Sequence, residues 1–289
     1  MGRRTKKSLL IITVVCFVAW ATFDRSLLQQ LVAASLSEVL SSSSVTAEVE
    51  KASVHWLGIS TGAISLHGRS PFSAVTLDSA TAGCKPLSVL MGNPSCTSQL
   101  SLYGGSGALA YTKQAEITLL TGDLESLDLK RHKLMKSYGI ERGNLSIRTL
   151  KIEARENTVQ TASARIEIAD LSKPAASRLA PSLTGLPLTL EVPALEIATA
   201  HMNASMTPQR LELQDISMSS SLGDLQGTIS LAARVITGAH FVLSLNAHGK
   251  EILSPYLVFV CPKSALEPAQ SEPLRFDFKD GQIRCTLSS

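Results

Sequence analysis

The chain has 289 residues with a formal net charge of +3, and only 18% of its residues are charged and 4% aromatic. Phosphate binding needs a dense basic face, so this near-neutral balance argues against a nucleic-acid partner. The low charge and the many Leu, Ala, Ser and Thr residues favour an exported, β-rich protein over a cytosolic enzyme.

Residues 1–23 have the pattern of a membrane anchor. Four basic residues in MGRRTKK precede an apolar run that ends at Phe23, an order that keeps the N-terminus in the cytoplasm. The run is shorter than the roughly 20 apolar residues of a spanning helix. Because Ala19-Trp20-Ala21 has the spacing of a signal-peptidase site, a cleaved signal peptide is the alternative.

Residues 24–44 predict an amphipathic helix followed by a Ser-rich link. Asp24 or Ser26 is a suitable N-cap. Apolar residues then recur at helical spacing, at Leu28, Leu31, Val32, Leu36, Val39 and Leu40. This helix follows the apolar run without a linker, which favours an uncleaved, single-pass anchor.

From residue 45 to residue 289 the pattern changes to the period of two that is typical of β-strands. It occurs in VTAEVE, GAISLHG, AVTLDSA, QLSLYGG, AEITLL, SARIEIADL and FVLSLNAHG. LVFVC (257–261) has strand length, and LYGGSGALAY and PLRFDFKDGQIRCTL predict hairpins. SLDLKRHKLMKSYGI predicts a short helix, or a strand and loop; its KRHKLMK cluster suits a solvated loop, or a contact with anionic headgroups or an acidic partner.

One spacing recurs three times: two alternating apolar residues, a gap of two residues, then two more. A β-bulge in the gap returns both pairs to one face and bends the strand. We therefore expect an elongated, curled, mostly antiparallel sheet with an apolar concave side; a two-sheet sandwich with bulges is the alternative. The candidate apolar face consists of Leu145, Ile147, Leu150, Ile152, Leu190, Val192, Leu195, Ile197, Leu211, Leu213, Ile216 and Met218.

Four of the five cysteines form two local pairs, Cys84 with Cys96 and Cys261 with Cys285, while Cys16 lies in the apolar N-terminal run. An even count in an exported domain favours two disulfides, and buried free thiols are the alternative. The spacing is not that of a zinc site. The six histidines form no ligand pair, and neither a GxSxG elbow nor a phosphate loop is present. We therefore predict no enzyme activity, no metal and no cofactor.

The order of these parts resembles the AsmA-like envelope proteins, a group that includes the type II secretion system protein N family. The opening VTAEVEKASVHWLGISTGAISLHG is similar to theirs, and ERGNLSIRTLKIEA resembles the middle of protein N. GDLQGTISLAARVITGAHFVLSLNAHGKEILSPY (223–256) and EPLRFDFKDGQIR (272–284) resemble its C-terminal part.

The resemblance implies a single-pass protein of the bacterial inner membrane, with residues 45–289 in the periplasm. Its role would be that of a non-enzymatic accessory of the type II secretion system, acting through contacts with other envelope proteins of that system. The alternative is an AsmA-like lipid-handling protein with an apolar groove. About a dozen strands at about 4.8 Å spacing give about 60 Å, too short to bridge the envelope alone.

Overall fold

The computed structural model describes Gln30, Ala34 and residues 45–55, 58–68, 75–156, 158–174, 194–232, 235–258, 260–262, 272–279 and 282–287. The predicted anchor, most of the predicted amphipathic helix, and Leu190 and Val192 of the candidate face lie outside these residues. Gln30 and Ala34 both have helical backbone. In the parts of the chain that the structure describes, no helix is long and apolar enough to cross a bilayer.

The described residues are mainly β-strand, as the alternating sequence pattern predicts. The strands are β1 (Val45–Val49), β2 (Ala52–His55), β3 (Gly58–Thr61), β4 (Ile64–Gly68), β5 (Val75–Cys84), β6 (Ser95–Leu102), β7 (Gly105–Gln114), β8 (Ile117–Asp128), β9 (Arg142–Arg155), β10 (Thr158–Lys173), β11 (Leu195–Met206), β12 (Arg210–Ser220), β13 (Gly223–Ala232), β14 (Val235–Leu245), β15 (Leu274–Lys279) and β16 (Gln282–Leu287).

All sixteen strands belong to one antiparallel sheet. From β5 to β16 each strand pairs with the next in sequence; β4 and β3 both pair with β5, β1 pairs with β4, and β2 pairs with β3. The sheet is open, because β1 and β16 lie at its two edges and do not pair with each other. A single sheet excludes the two-sheet sandwich for the described residues.

Three short helices interrupt the strands: α1 (Pro86–Leu90), α2 (Lys133–Ser137) and α3 (Ala247–Leu257). A single 3₁₀ turn, Leu129–Arg131, precedes α2, so KRHKLMK forms a short helical segment whose charged side chains are exposed. The prediction of a strand through FVLSLNAHG is wrong at its end, because β14 stops at Leu245. The Asn246 side chain then accepts a hydrogen bond from the Gly249 backbone N–H at 2.7 Å and starts α3.

The recurring sequence gap coincides with bulges in both copies that the structure describes. In β9, the three residue steps from Arg148 to Lys151 stand opposite the two steps from Arg165 to Ser163 of β10, and Thr149 has a φ of +52°. In β12, the same shift lies between Leu213 and Ile216, where Asp215 has a φ of +51°. One extra residue therefore returns the following apolar residues to the original face.

Candidate functional site

One face of the sheet is apolar over nearly its whole length. Directly paired residues share a face, and one unbroken row contains an apolar residue from each of nine consecutive strands. This row consists of Leu127, Leu145, Ile168, Ala200, Met218, Leu225, Leu243, Leu274 and Leu287. We call the face that carries it the apolar face.

The apolar face continues towards β1. Leu100, Gly107, Leu124 and Ile147 form a neighbouring row through β6–β9. Val49, Ile64, Leu77 and Leu102 extend the face across β1, β4, β5 and β6. By the same registers, all ten described members of the candidate face that the sequence predicts point to this side.

Most side chains of the apolar face are only half-buried. Among the described residues, buried hydrophobic side chains are few, and no large side chain is less than 2% exposed. A packed core normally contains many fully buried aliphatic residues. The described residues thus provide a sheet whose apolar face is largely without a second layer.

The C-terminal end of the apolar face is covered by α3 and the turn after it. Cys261, Leu274 and Cys285 are buried there, with Leu243, Leu245, Leu257, Phe276 and Leu287 packed around them. A disulfide joins Cys261, which follows α3, to Cys285 on the edge strand β16. The expected strand LVFVC is therefore wrong for its described residues: they end α3 and form the turn that carries Cys261.

The second disulfide lies in the other half of the sheet, at the ends of β5 and β6. It joins Cys84 to Cys96, which are directly paired residues with a Cα–Cα distance of 3.9 Å. It closes the base of the loop that carries α1. In contrast to the Cys261–Cys285 pair, Cys84 is exposed and belongs to no buried cluster.

The opposite face is polar and carries exposed ion pairs. Glu167 pairs with both Arg148 (3.2 Å) and Arg165 (2.9 Å). At the other end, the Asp277 carboxylate accepts a hydrogen bond from Arg275, and its Oδ1 lies 2.8 Å from His240 Nδ1. The His240 hydrogen bond, followed by the contacts with Arg275, holds the pKa of the Asp277 carboxyl below its usual value. These pairs suit a water-facing surface, where each contributes little to stability.

One hollow of the described surface has a volume of about 840 Å³ and lies over β3 and β5–β9. Its lining includes Leu109 and Leu150 as well as polar residues such as Asp123 and Lys151. The Asp123 carboxylate accepts the backbone N–H of Thr149 at 2.7 Å, so it supports the bulge in β9. The hollow contains no nucleophile held by a base, so its geometry provides no catalytic arrangement.

The remaining polar clusters have structural roles. Burial raises the pKa of the Tyr103 phenol, whose oxygen accepts the Thr76 backbone N–H at 3.3 Å, and the Tyr103 ring packs edge-on against His132. Within the described ranges, no group of three His, Cys, Asp or Glu side chains is placed to hold a metal ion. The candidate site is therefore the apolar face.

Comparison of the chain with protein-family models, with curated proteins and with solved structures finds no match in any of the three. The resemblance to AsmA-like proteins and to the protein N family therefore stays a prediction. What the structure itself establishes is a mainly β chain with one long, open antiparallel sheet, amphipathic across its two faces.

Proposed function

We propose that this chain holds lipid acyl chains on its apolar face and belongs to a lipid-handling apparatus of the bacterial envelope. The observation that carries the proposal is the apolar row from Leu127 to Leu287, which crosses nine strands and whose members are mostly half-buried. Apolar surface of this extent is unfavourable in water, and soluble proteins rarely expose it.

Acyl chains suit this surface better than a folded protein does. The side chains of the row offer no hydrogen-bonding groups, and an acyl chain needs none. At about 4.8 Å between strands, the five steps from Leu127 to Leu225, before the part that α3 covers, span about 24 Å. A bilayer's hydrocarbon core is about 30 Å thick, so one acyl chain needs about half of that length. This part of the row is therefore long enough for one chain.

The proposed setting follows the sequence. Residues 1–23 would anchor the chain in the inner membrane, and the sheet would lie in the periplasm, where both disulfides are compatible with the redox conditions. The mechanism is non-enzymatic: the apolar face shields the chains while the polar face stays in water.

Two adjacent residues of β12 provide a matched test. Met218 lies on the apolar face and Ser217 on the polar face. The full chain is purified in a mild detergent, and the phospholipid that co-purifies is measured by mass spectrometry. We expect Met218→Gln to lower the bound lipid several-fold and Ser217→Gln to leave it unchanged.

Both variants are checked for retention of the two disulfides and of the far-ultraviolet circular dichroism spectrum. A photoactivatable lipid offers a second readout that needs no substitution, since its crosslinks are expected on peptides of the apolar face. Absence of lipid from the parent chain, or equal loss in the two variants, would contradict the proposal.

A second candidate function is that of an accessory in the type II secretion system, and the open sheet edges favour it. β1 and β16 each have a partner on one side only, so either edge can accept a strand from another protein. A photo-crosslinking residue at Thr286 of β16 tests this role, with Thr228 of the interior strand β13 as the control. Capture of a secretion-system envelope protein at Thr286 alone would support it, and capture at neither position would argue against it.

A further inference from the structure

The three most exposed apolar side chains of the described residues, those of Leu87, Leu90 and Met91, lie on one short loop. Leu87, Val89, Leu90 and Met91, in and after α1, are 69%, 51%, 82% and 73% exposed. None of the residues of α1 is buried, and the disulfide between Cys84 and Cys96 closes the loop at its base. We call this loop, residues 85–94, the apolar tip.

The apolar tip lies at the end of the sheet where most of the hairpins turn. Because neighbouring strands are antiparallel, the last residues of β5, β7, β9, β11, β13 and β15 all lie at this end, which we call the hairpin end. Of the fourteen exposed large hydrophobic residues in the described chain, all but Tyr256, Val258 and Val260 lie there. Besides the tip, Val235 and Ile283 are examples, 65% and 55% exposed.

Scattered surface hydrophobics are normal, but their segregation to one end is not. Four of them share the apolar tip, and the others lie at or near the ends of separate strands. Such an arrangement lacks the continuous, shaped surface of a protein interface. A fluid bilayer requires no matching shape, because lipid rearranges around each side chain.

The backbone of the apolar tip is also suited to a water-poor environment. Its N–H groups are bonded within the protein: those of Ser88 and Val89 to the Lys85 carbonyl, that of Met91 to Leu87, and that of Asn93 to Ser88. The Lys85 N–H bonds to Ser95 of β6. Unsatisfied backbone groups are what make irregular loops costly at membrane depth, and this loop has paired these groups internally.

The hairpin end carries both signs of charge, with Glu116 and Glu156 exposed after β7 and β9, and its basic side chains include two beside the apolar tip. Lys85 begins the apolar tip, Lys113 is next to it through its N–H bond to the Pro94 carbonyl, and Lys279 precedes the last turn. All three are exposed. Basic residues beside inserted apolar side chains are attracted to anionic headgroups.

From these observations we propose that the hairpin end is a membrane-docking surface, whose apolar tip inserts its Leu and Met side chains into the interface of a lipid bilayer. The disulfide Cys84–Cys96 holds the tip in its inserted conformation. The depth expected for such side chains is about 5–10 Å into the headgroup and acyl boundary. This inference goes beyond the proposed function because it rests on the apolar tip, a loop outside the sheet; Met206, Ile236 and Ile283 share the apolar face itself and are not part of the tip.

The test measures whether the apolar tip lies in the bilayer. Binding to vesicles alone would not be informative, because the predicted N-terminal anchor would bring the full chain to vesicles in any case. The variants are Leu90→Trp at the tip and Tyr256→Trp as the control; Tyr256 is 44% exposed and lies at the opposite end, in α3. Each is reconstituted as the full chain in vesicles of phosphatidylcholine and phosphatidylglycerol, with protein-free vesicles added. The fluorescence of the parent chain is subtracted from that of each variant, which leaves the signal of the added tryptophan. This signal is measured in vesicles with and without brominated acyl chains.

We expect brominated lipid to lower the added fluorescence of Leu90→Trp by roughly half and its emission to shift to the blue, as for a side chain at the acyl boundary. Tyr256→Trp should show neither change. An unquenched Leu90→Trp, or quenching equal to that of Tyr256→Trp, overturns the proposal. Since Leu90 is 82% exposed, its substitution disturbs no packing. If Met218→Gln lost lipid from the apolar face while Leu90→Trp was still quenched, membrane docking and lipid binding would be shown to be separate properties.

Discussion

Removal of the Cys261–Cys285 disulfide is expected to unfold one end of the sheet and to leave the remainder folded. The bond closes a loop of 25 residues, from a sequence separation of 24. The chain-entropy relation gives about 3.5 kcal/mol for a loop of this length. The two sulfurs also lie in the buried cluster with Leu274, so the Cys261→Ala/Cys285→Ala variant loses packing as well.

This loss is expected to stay local, because each strand packs chiefly against its two neighbours. In such a one-dimensional arrangement, stability is a sum of neighbour terms and one end can unfold alone. A two-stranded hairpin is marginal by itself. Without the disulfide, amide protection in β15, β16 and α3 should therefore fall by about 300-fold, which corresponds to 3.5 kcal/mol.

Hydrogen exchange read by mass spectrometry measures this region by region, with β8–β10 as the internal reference. The matched control is Cys84→Ala/Cys96→Ala, whose separation of 12 gives about 2.9 kcal/mol by the same relation and whose effect should lie in β5, β6 and α1. If either variant lost protection evenly over all strands, the sheet would unfold as one unit, and the reasoning from neighbour contacts would be refuted.

Three further substitutions test single side chains, the first two by urea denaturation. Thr149→Gly should raise the free energy of unfolding by about 1 kcal/mol, because φ is +52° there and glycine has no Cβ to oppose it; a decrease would show that the bulge is not strained. Lys173→Met should raise it by about 1–3 kcal/mol, because Lys173 is 8% exposed and its Nζ has no hydrogen-bond partner among the described groups. Asp277 has a folded pKa below its unfolded value of about 3.9. Its contribution is therefore complete above that value and is lost as the pH falls through the folded pKa, so Asp277→Asn should flatten the dependence of stability on pH in this acidic range; an identical pH profile for the variant would contradict this.

Much of the strand content follows from alternation, and the bulges at Thr149 and Asp215 follow from the two-residue gap in that alternation. An alternating strand specifies which face is apolar but not what covers that face. For this reason the sequence left a sandwich and a single sheet as alternatives. Only the strand pairing, which depends on the whole chain, decides between them.

The helix α3 and the apolar tip were not predictable in the same way. FVLSLNAHG alternates through Asn246, and only the cap bond from Gly249 shows that the strand has ended. The cap signal of an Asn before a helix was present in the sequence, but the strand pattern outweighed it. The exposure of Leu87 and Leu90 does not follow from the sequence, because it depends on a fold that places their loop beyond the end of the sheet.

Because α3 covers the C-terminal end of the apolar face, the two ends of that face differ. A long molecule that slid along the face from β8 would reach Leu257 and the Cys261–Cys285 bridge and could go no further. If the proposed function is correct, the covered end would stop a lipid that moved along the face. Movement of lipid between membranes would then require the protein to act as a shuttle or to pass the lipid to a partner.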